Sequence, residues 1–241
     1  KKVYTKMKKQ LFTILASLML ATTAYAGSFN IGASGGLATV DASGTETTNA
    51  GDSGTANTNS TQVDNKMTGI GSIFAEYESD FYGLTLGLEW VPGSADVSDK
   101  THSRTDTETS VTSTLAETSN SREFKVGAEV ENYQTAYIEA SLVKGMFIRA
   151  GLSQIDVNIN DVVSGNGGTY GNTSLDGSMV GIGFKGVMAN NDNLGWKAYY
   201  EKTNFDTLKI TQTGNSVADE ANSIQADLDV SAVKLALSYR F

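Results

Sequence analysis

Residues 231–241 read SAVKLALSYRF. The odd positions carry Ser231, Val233, Leu235, Leu237, Tyr239 and Phe241, and the even ones Ala232, Lys234, Ala236, Ser238 and Arg240. One face is apolar and aromatic, and the other is small and basic. Strict alternation over such a stretch marks a β-strand with two unlike faces. A tilted strand of about ten residues is long enough to cross a bilayer.

Seven further segments alternate in the same way. They fall at about 28–40, 67–78, 82–91, 124–142, 146–159, 178–188 and 194–205. In 82–91, Tyr82, Leu84, Leu86, Leu88 and Trp90 oppose Gly83, Thr85, Gly87 and Glu89. In 124–142 a single apolar face runs from Phe124, Val126, Ala128 and Val130 to Ala136, Ile138, Ala140 and Leu142. Two places blur the pattern. Phe74 falls on the polar face of 67–78. In 146–159 the apolar phase moves from Ile148, Ala150 and Leu152 to Ile155, Val157 and Ile159, which predicts a bulge or an exit from the membrane there.

The links between these strands alternate in length. Short ones fall near 79–81, 143–145 and 189–193, and long ones near 41–66, 92–123, 160–177 and 206–226. Seven links join eight strands, and the short–long asymmetry is that of outer-membrane barrels, with short periplasmic turns and long extracellular loops. The long links are rich in Thr, Ser, Asn, Gly and Asp and read as solvated, flexible loops. The predicted fold is therefore all-β: an eight-stranded antiparallel transmembrane up-and-down barrel with four long extracellular loops.

Composition narrows the function. The chain of 241 residues has no cysteine, one histidine, one proline and 25 glycines. Without cysteine there is no disulfide scaffold and no thiolate metal or redox site. One histidine excludes two-His metal motifs. A formal charge of -9 argues against nucleic-acid binding, which needs Lys and Arg to replace phosphate counterions.

Residues 1–26 read as a secretory signal peptide. Lys8 and Lys9 form a positive start, Leu11 to Ala21 an apolar stretch, and Ala24-Tyr25-Ala26 a small-x-small cleavage site. Met7, directly before the lysine pair, is a candidate start. Cleavage after Ala26 removes five of the 18 basic residues and none of the 27 acidic ones, so the mature barrel, 27–241, is more acidic still.

Parity assigns residues to the two sides of the wall. The polar faces carry Glu76, Glu89, Glu139 and Glu201 with Arg149, Lys185, Lys197, Lys234 and Arg240. An eight-stranded barrel is just wide enough to be filled by its side chains, so these nine are expected to pair and fill the lumen. The other reading is a narrow ion path lined by the same charges. On the apolar faces, Phe29, Tyr82, Trp90, Trp196, Tyr239 and Phe241 lie near strand ends and are expected to be membrane-interface aromatics. His102 beside Ser103 sits in a Thr-rich tract with no third group to orient an imidazole, so no catalytic residue is assigned. Gly165, Gly167 and Gly168 precede no Lys-Ser/Thr and are turn glycines. Asp219-Glu220 and Asp227/Asp229 lack EF-hand spacing, and neither a metal site nor a cofactor is expected.

The terminal Leu237-Ser238-Tyr239-Arg240-Phe241, with its final Phe and an aromatic two residues earlier, resembles the insertion signal of bacterial outer-membrane barrels. Together with the leader and eight strands, the chain is similar to small barrels of the OmpA/OmpX type. That resemblance implies outer-membrane localisation in a Gram-negative cell envelope. It implies contact with outer-membrane lipid and lipopolysaccharide, and recognition of the C-terminal strand by the barrel-assembly machinery. With Phe241 ending the chain, no peptidoglycan-binding domain is expected. The expected protein is a monomeric, non-enzymatic, surface-exposed barrel. The alternatives are a narrow porin-like channel for ions or small solutes, a lipid-modifying barrel enzyme, and a soluble lipocalin-like barrel.

Overall fold

A strand that is apolar on one side and polar on the other can satisfy its backbone only by pairing on both edges, and a sheet of such strands loses its edges by closing. The computed structural model shows that closure. It describes residues 27–48, 57–80, 83–97, 102–111, 117–143, 145–163, 169–213 and 222–241. The expected signal peptide, Tyr82, the glycines at 165–168 and Asp219-Glu220 lie outside them.

The strands are β1 (Gly27–Thr48), β2 (Asn57–Ser79), β3 (Leu84–Asp96), β4 (His102–Val111), β5 (Glu117–Ser141), β6 (Met146–Val163), β7 (Thr173–Met188), β8 (Asn191–Phe205), β9 (Leu208–Thr211) and β10 (Ser223–Arg240). They pair in the order β1-β2-β3-β5-β6-β7-β8-β10, and β10 returns to β1. Every pairing is antiparallel, from Asn30↔Arg240 through Thr47↔Ser223 in the closing ladder. β4 continues β3 along β5, and β9 continues β8 along β10. The result is an eight-stranded, all-antiparallel, up-and-down barrel. Among the described residues no helix is long and apolar enough to cross a membrane.

The lower ends match the expected turns. Gly83 and Gly145, with φ of 61° and 78°, turn the chain where a side chain would be strained. Met188 and Asn191 pair across a two-residue connection. The upper ends differ from expectation. β1 runs to Thr48, β2 starts at Asn57, β4 spans His102–Val111 and β5 starts at Glu117, all within stretches read as loops. His102 and Ser103 pair with Val126 and Lys125 in this hairpin. Thr-rich chain suits a strand, and pairing continues wherever two such segments run side by side. A 22-residue strand is about 70 Å long at ~3.3 Å per residue, far more than a bilayer needs.

The bulge is also placed differently. β6 pairs with β7 without interruption from Met146 to Val157. The irregularity lies on β5, between Glu131 and Gln134, where Asn132 takes a φ of 54°. One extra residue reverses the faces of a strand. Ala128 and Val130 therefore turn inward, whereas Ala136 and Ile138 face out, so 124–142 does not keep one apolar face.

A second irregularity opens the wall. β2 and β3 pair from Glu78↔Thr85 to Ile73↔Trp90 and then part. Above that level, among the described residues, β2 pairs with β1, and β3 and β4 pair with β5. Pro92 and Gly93, with a φ of 91°, sit at the parting, inside the Val91/Ser94 bulge. Proline has no N–H to continue a ladder, so it belongs at a strand edge.

Candidate functional site

The pleat puts Asn30, Ser72, Phe74, Glu76, Thr85, Glu89, Tyr137, Glu139, Arg149, Lys197, Tyr199, Glu201 and Lys234 inside the barrel, all buried. Seven of the nine charged residues expected in the lumen are less than 10% exposed; Lys185 and Arg240 are half-buried nearer the lower mouth. The charges form two networks.

The upper one is a closed ring of four. Glu89 accepts from Arg149 Nη2 at 2.9 Å and from Lys234 Nζ at 2.8 Å. Glu201 faces Lys234 at 2.6 Å and Arg149 Nη1 at 3.4 Å across the ring. Ser72 Oγ also donates to Glu89, at 2.6 Å. The lower network is a chain. Lys197 donates to Glu76 at 2.5 Å and to Glu139 at 2.9 Å. Lys185 donates to the other oxygen of Glu139 at 2.9 Å and lies 3.6 Å from Glu78, which also binds Arg240. Glu78 shares the parity of Glu76 and was legible on that ground, but it is absent from the nine. With it the ring holds two acids and two bases and the chain three of each. The set is neutral rather than +1. Buried ions need such balance, because one left unpaired is costly.

Aromatic rings fill the space between the ions. Phe74, Phe147, Tyr199 and Ala236 form a small buried cluster, which places the anomalous Phe74 of the sequence. The Arg149 guanidinium lies 3.9 Å from the centre of the Tyr137 ring and 4.8 Å from that of Tyr199, and Tyr137 Oη donates to Glu76 at 2.6 Å. Inward glycines make room for these long side chains. A Cβ on Gly87 would run into the Tyr137 ring, and one on Gly181 into Arg149 and Glu201. At the lower mouth the lower network borders a cavity of about 400 Å³, lined by Glu78, Lys185, Asp192 and Arg240 among others.

Above the ring the lining changes character. Thr135, Ser153 and Thr203 are buried there, with Tyr133 Oη 2.6 Å from Thr203 Oγ1. Beyond them Val40, Ile155, Val157, Ile159, Tyr170, Leu175, Phe205, Leu208 and Leu228 pack into one apolar core inside the upper barrel. The phase shift read in β6 is this change: Ile155 and Val157 point the same way as Arg149 and Ser153, but into an apolar interior.

Outside, the order is reversed. Ile31, Leu37, Ile73, Ile138, Ile148, Val180, Ile182, Val233, Leu235 and Leu237 are exposed and form a continuous apolar belt. Phe29, Tyr239 and Phe241 cluster at its lower edge, with ring centres 6.4 Å and 5.1 Å apart around Phe241. Phe241 N donates to Phe29 O there, closing β10 on β1. Trp90 and Trp196 also face outward, and so does Tyr200, an aromatic outside the expected set. Among the described residues no group of three or more His, Cys, Asp or Glu is placed to hold a metal ion.

The structure is similar to the outer membrane protein OprG from Pseudomonas aeruginosa, at 11% identity over 90% of this chain and 97% of that one, with a TM-score of 0.44. It is also similar to Ail, the attachment invasion locus protein of Yersinia pestis, at 13% identity over 89% and 99% with a TM-score of 0.36. Neisserial surface protein A shares 10% identity over 88% and 97%, again with a TM-score of 0.36. The eight-stranded antiparallel barrel thus resembles small outer-membrane β-barrel proteins. At these identities the likeness concerns the fold alone. No family model matches the sequence, and no curated protein matches it.

Proposed function

We propose that the chain is a non-enzymatic integral outer-membrane protein, a surface-exposed structural barrel of the OmpA/OmpX type whose lumen does not conduct. The observation that carries this reading is the pair of neutral ion networks beneath an apolar core. Any water-filled path along the axis would have to part both. The exposed apolar belt is what a closed barrel presents to lipid, and a contiguous apolar surface of that extent is foreign to a free soluble barrel. Outer-membrane lipid and lipopolysaccharide are then the partners of the belt, and the barrel-assembly machinery that of β10. Planar-bilayer recording tests the proposal. The folded protein should give no steady single-channel current, and large, stable openings would replace this reading with a pore.

One observation favours a second reading, the parted β2–β3 seam. It gives the upper lumen a side exit, so that a small apolar solute entering from outside would pass into the bilayer without crossing the ion ring. Pro92→Val supplies the missing backbone donor and should lengthen the β2–β3 ladder. Uptake of an apolar dye into protein-bearing vesicles should then fall, and unchanged uptake sinks the side route.

A further inference from the structure

The outer wall holds one concave stretch that the lumen does not explain. Two cross-strand rows run side by side over it. One joins Ile31, Ala75, Leu88, Ala136 and Leu152. The other joins Ile73, Trp90, Gln134, Gln154 and Asp176. These ten face away from the lumen; the groove along them, whose lining also takes in Phe74, Glu89, Thr135 and Ser153 of the wall, has a volume of about 930 Å³.

The groove is graded. Its β1–β3 end is aliphatic and aromatic, with the small Ala75 and Ala136 as floor and Leu88, Leu152 and Trp90 around them. Its β6–β7 end is polar, beside Asn132 of the β5 bulge, Asp156 and Asp206. The amides there direct their N–H groups at the acids: Gln154 Nε2 donates to Asp176 at 2.5 Å and Asn132 Nδ2 to Asp156 at 3.2 Å. Ser174 Oγ also donates to Asp156, at 2.6 Å, so the acidic groups left to a ligand in the groove are the carboxylates of Asp176 and Asp206. Among the described residues no basic side chain pairs with Asp176 or Asp206.

We propose that this groove holds one membrane amphiphile with a primary-amine head. Its acyl chain lies along the alanine floor, where the belt already faces lipid tails. Its ammonium donates to Asp176 and Asp206. A choline head has no N–H to give these acceptors, and an anionic head would meet carboxylates. The proposal rests on the membrane reading above, and the test separates the two.

The chain has two tryptophans, Trp90 in the groove and Trp196 on β8 away from it. In a Trp196→Phe variant, Trp90 alone reports. The variant is placed in phosphatidylcholine vesicles carrying either brominated-chain phosphatidylethanolamine or brominated-chain phosphatidylcholine as quencher. The ethanolamine lipid should reach half-maximal quenching at about fivefold lower mole fraction, the scale of one partly exposed ion pair. Adding Asp176→Asn should remove most of that preference, and Trp196 in a Trp90→Phe variant should show none. Equal quenching of Trp90 by both lipids, in protein whose heat-modifiable gel mobility shows a folded and inserted barrel, overturns the groove. Loss of that mobility shift in the wild-type chain overturns the membrane reading instead. Native mass spectrometry of the wild-type protein needs no substitution. One retained phosphatidylethanolamine in excess over phosphatidylcholine supports the site, and equal retention sinks it.

Discussion

Along β10 the lower and upper barrel use one pleat with opposite chemistry. Near the lower end Lys234 points in and is 1% exposed, while Leu235 points out and is 66% exposed. Further up, Leu228 points in and is 6% exposed, while Asp229 points out toward Lys202, 3.3 Å away. β8 repeats the change, from Lys197 and Glu201 inside to Phe205 inside. The backbone is the same in both halves, so the difference records what each half faces. On the membrane reading proposed above, lipid around the lower half makes polar outward residues costly, so apolar residues go out and ions are left to fill a narrow interior. Above, water surrounds the wall, and the interior becomes an ordinary hydrophobic core.

The sharpest way to break this comparison is to unbalance the ring. Glu89→Gln keeps the size of the side chain but leaves Arg149 and Lys234 with Glu201 as their remaining ring acid. The expected loss is about 3–5 kcal/mol, that of a buried ion deprived of its partner. Glu129→Gln, on the outer face of upper β5, should change stability by no more than about 0.5 kcal/mol. Urea unfolding in lipid vesicles measures both. Similar losses would mean that the lower lumen is as wet as the upper surface.

The outer face gives the next test. Leu235→Arg should cost about 2–4 kcal/mol, the depth-dependent penalty of a cation on the lipid side of a barrel, and Leu86 and Ile138 should behave alike. Gln225→Arg, on the same strand and the same face but in the upper half, should shift stability by no more than about 0.5 kcal/mol. If both arginines are tolerated equally, the apolar belt does not mark the bilayer.

A gentler substitution probes the two sides of one strand. Ile155→Val removes one methyl group from the upper core and should cost about 0.5–1.5 kcal/mol, because the packed core closes the gap only in part. Ile148→Val on the outer face of the same strand should cost less than about 0.5 kcal/mol, since fluid lipid chains follow the surface and leave no cavity. Equal costs would mean that Ile148 is covered by protein.

The two halves were not equally legible in the sequence. The lower half declares itself, because its outer wall is apolar at every second position, as in Leu84, Leu86, Leu88 and Trp90, and the opposed positions then name the lumen. Parity alone therefore placed Glu76, Glu139 and Arg149 on the polar face, and the same rule held Glu78. The upper half hides. β4 and early β5 are rich in Thr and Ser, which suit a strand as well as a loop. The apolar residues that point inward there, Ile155, Val157 and Leu228, share parity with the ions below, so they read as a broken pattern. The bulge at Asn132 was invisible for a related reason. Ala128 and Val130 keep the even numbering of Ile138, and only a known register shows that one extra residue has turned them over.

That bulge is the hinge between the two halves on β5, and its own residue supplies the smallest test. Asn132 holds a φ of 54°, a conformation that costs most L-residues about 1–2 kcal/mol and asparagine less. Asn132→Gly keeps the conformation open and loses only the exposed hydrogen bond to Asp156. Stability should then stay within about 0.5 kcal/mol of the wild type. Asn132→Ala loses the same hydrogen bond and adds the steric cost, so it should fall about 1 kcal/mol below the glycine variant. The difference between the two isolates the backbone term, because the hydrogen bond cancels. A strand without the extra residue would have no left-handed position to protect, and Ala128 and Val130 would face water instead of the core. If alanine and glycine at 132 prove equally stable in vesicles, β5 carries no such bulge, and the inward turn of its upper half needs another cause.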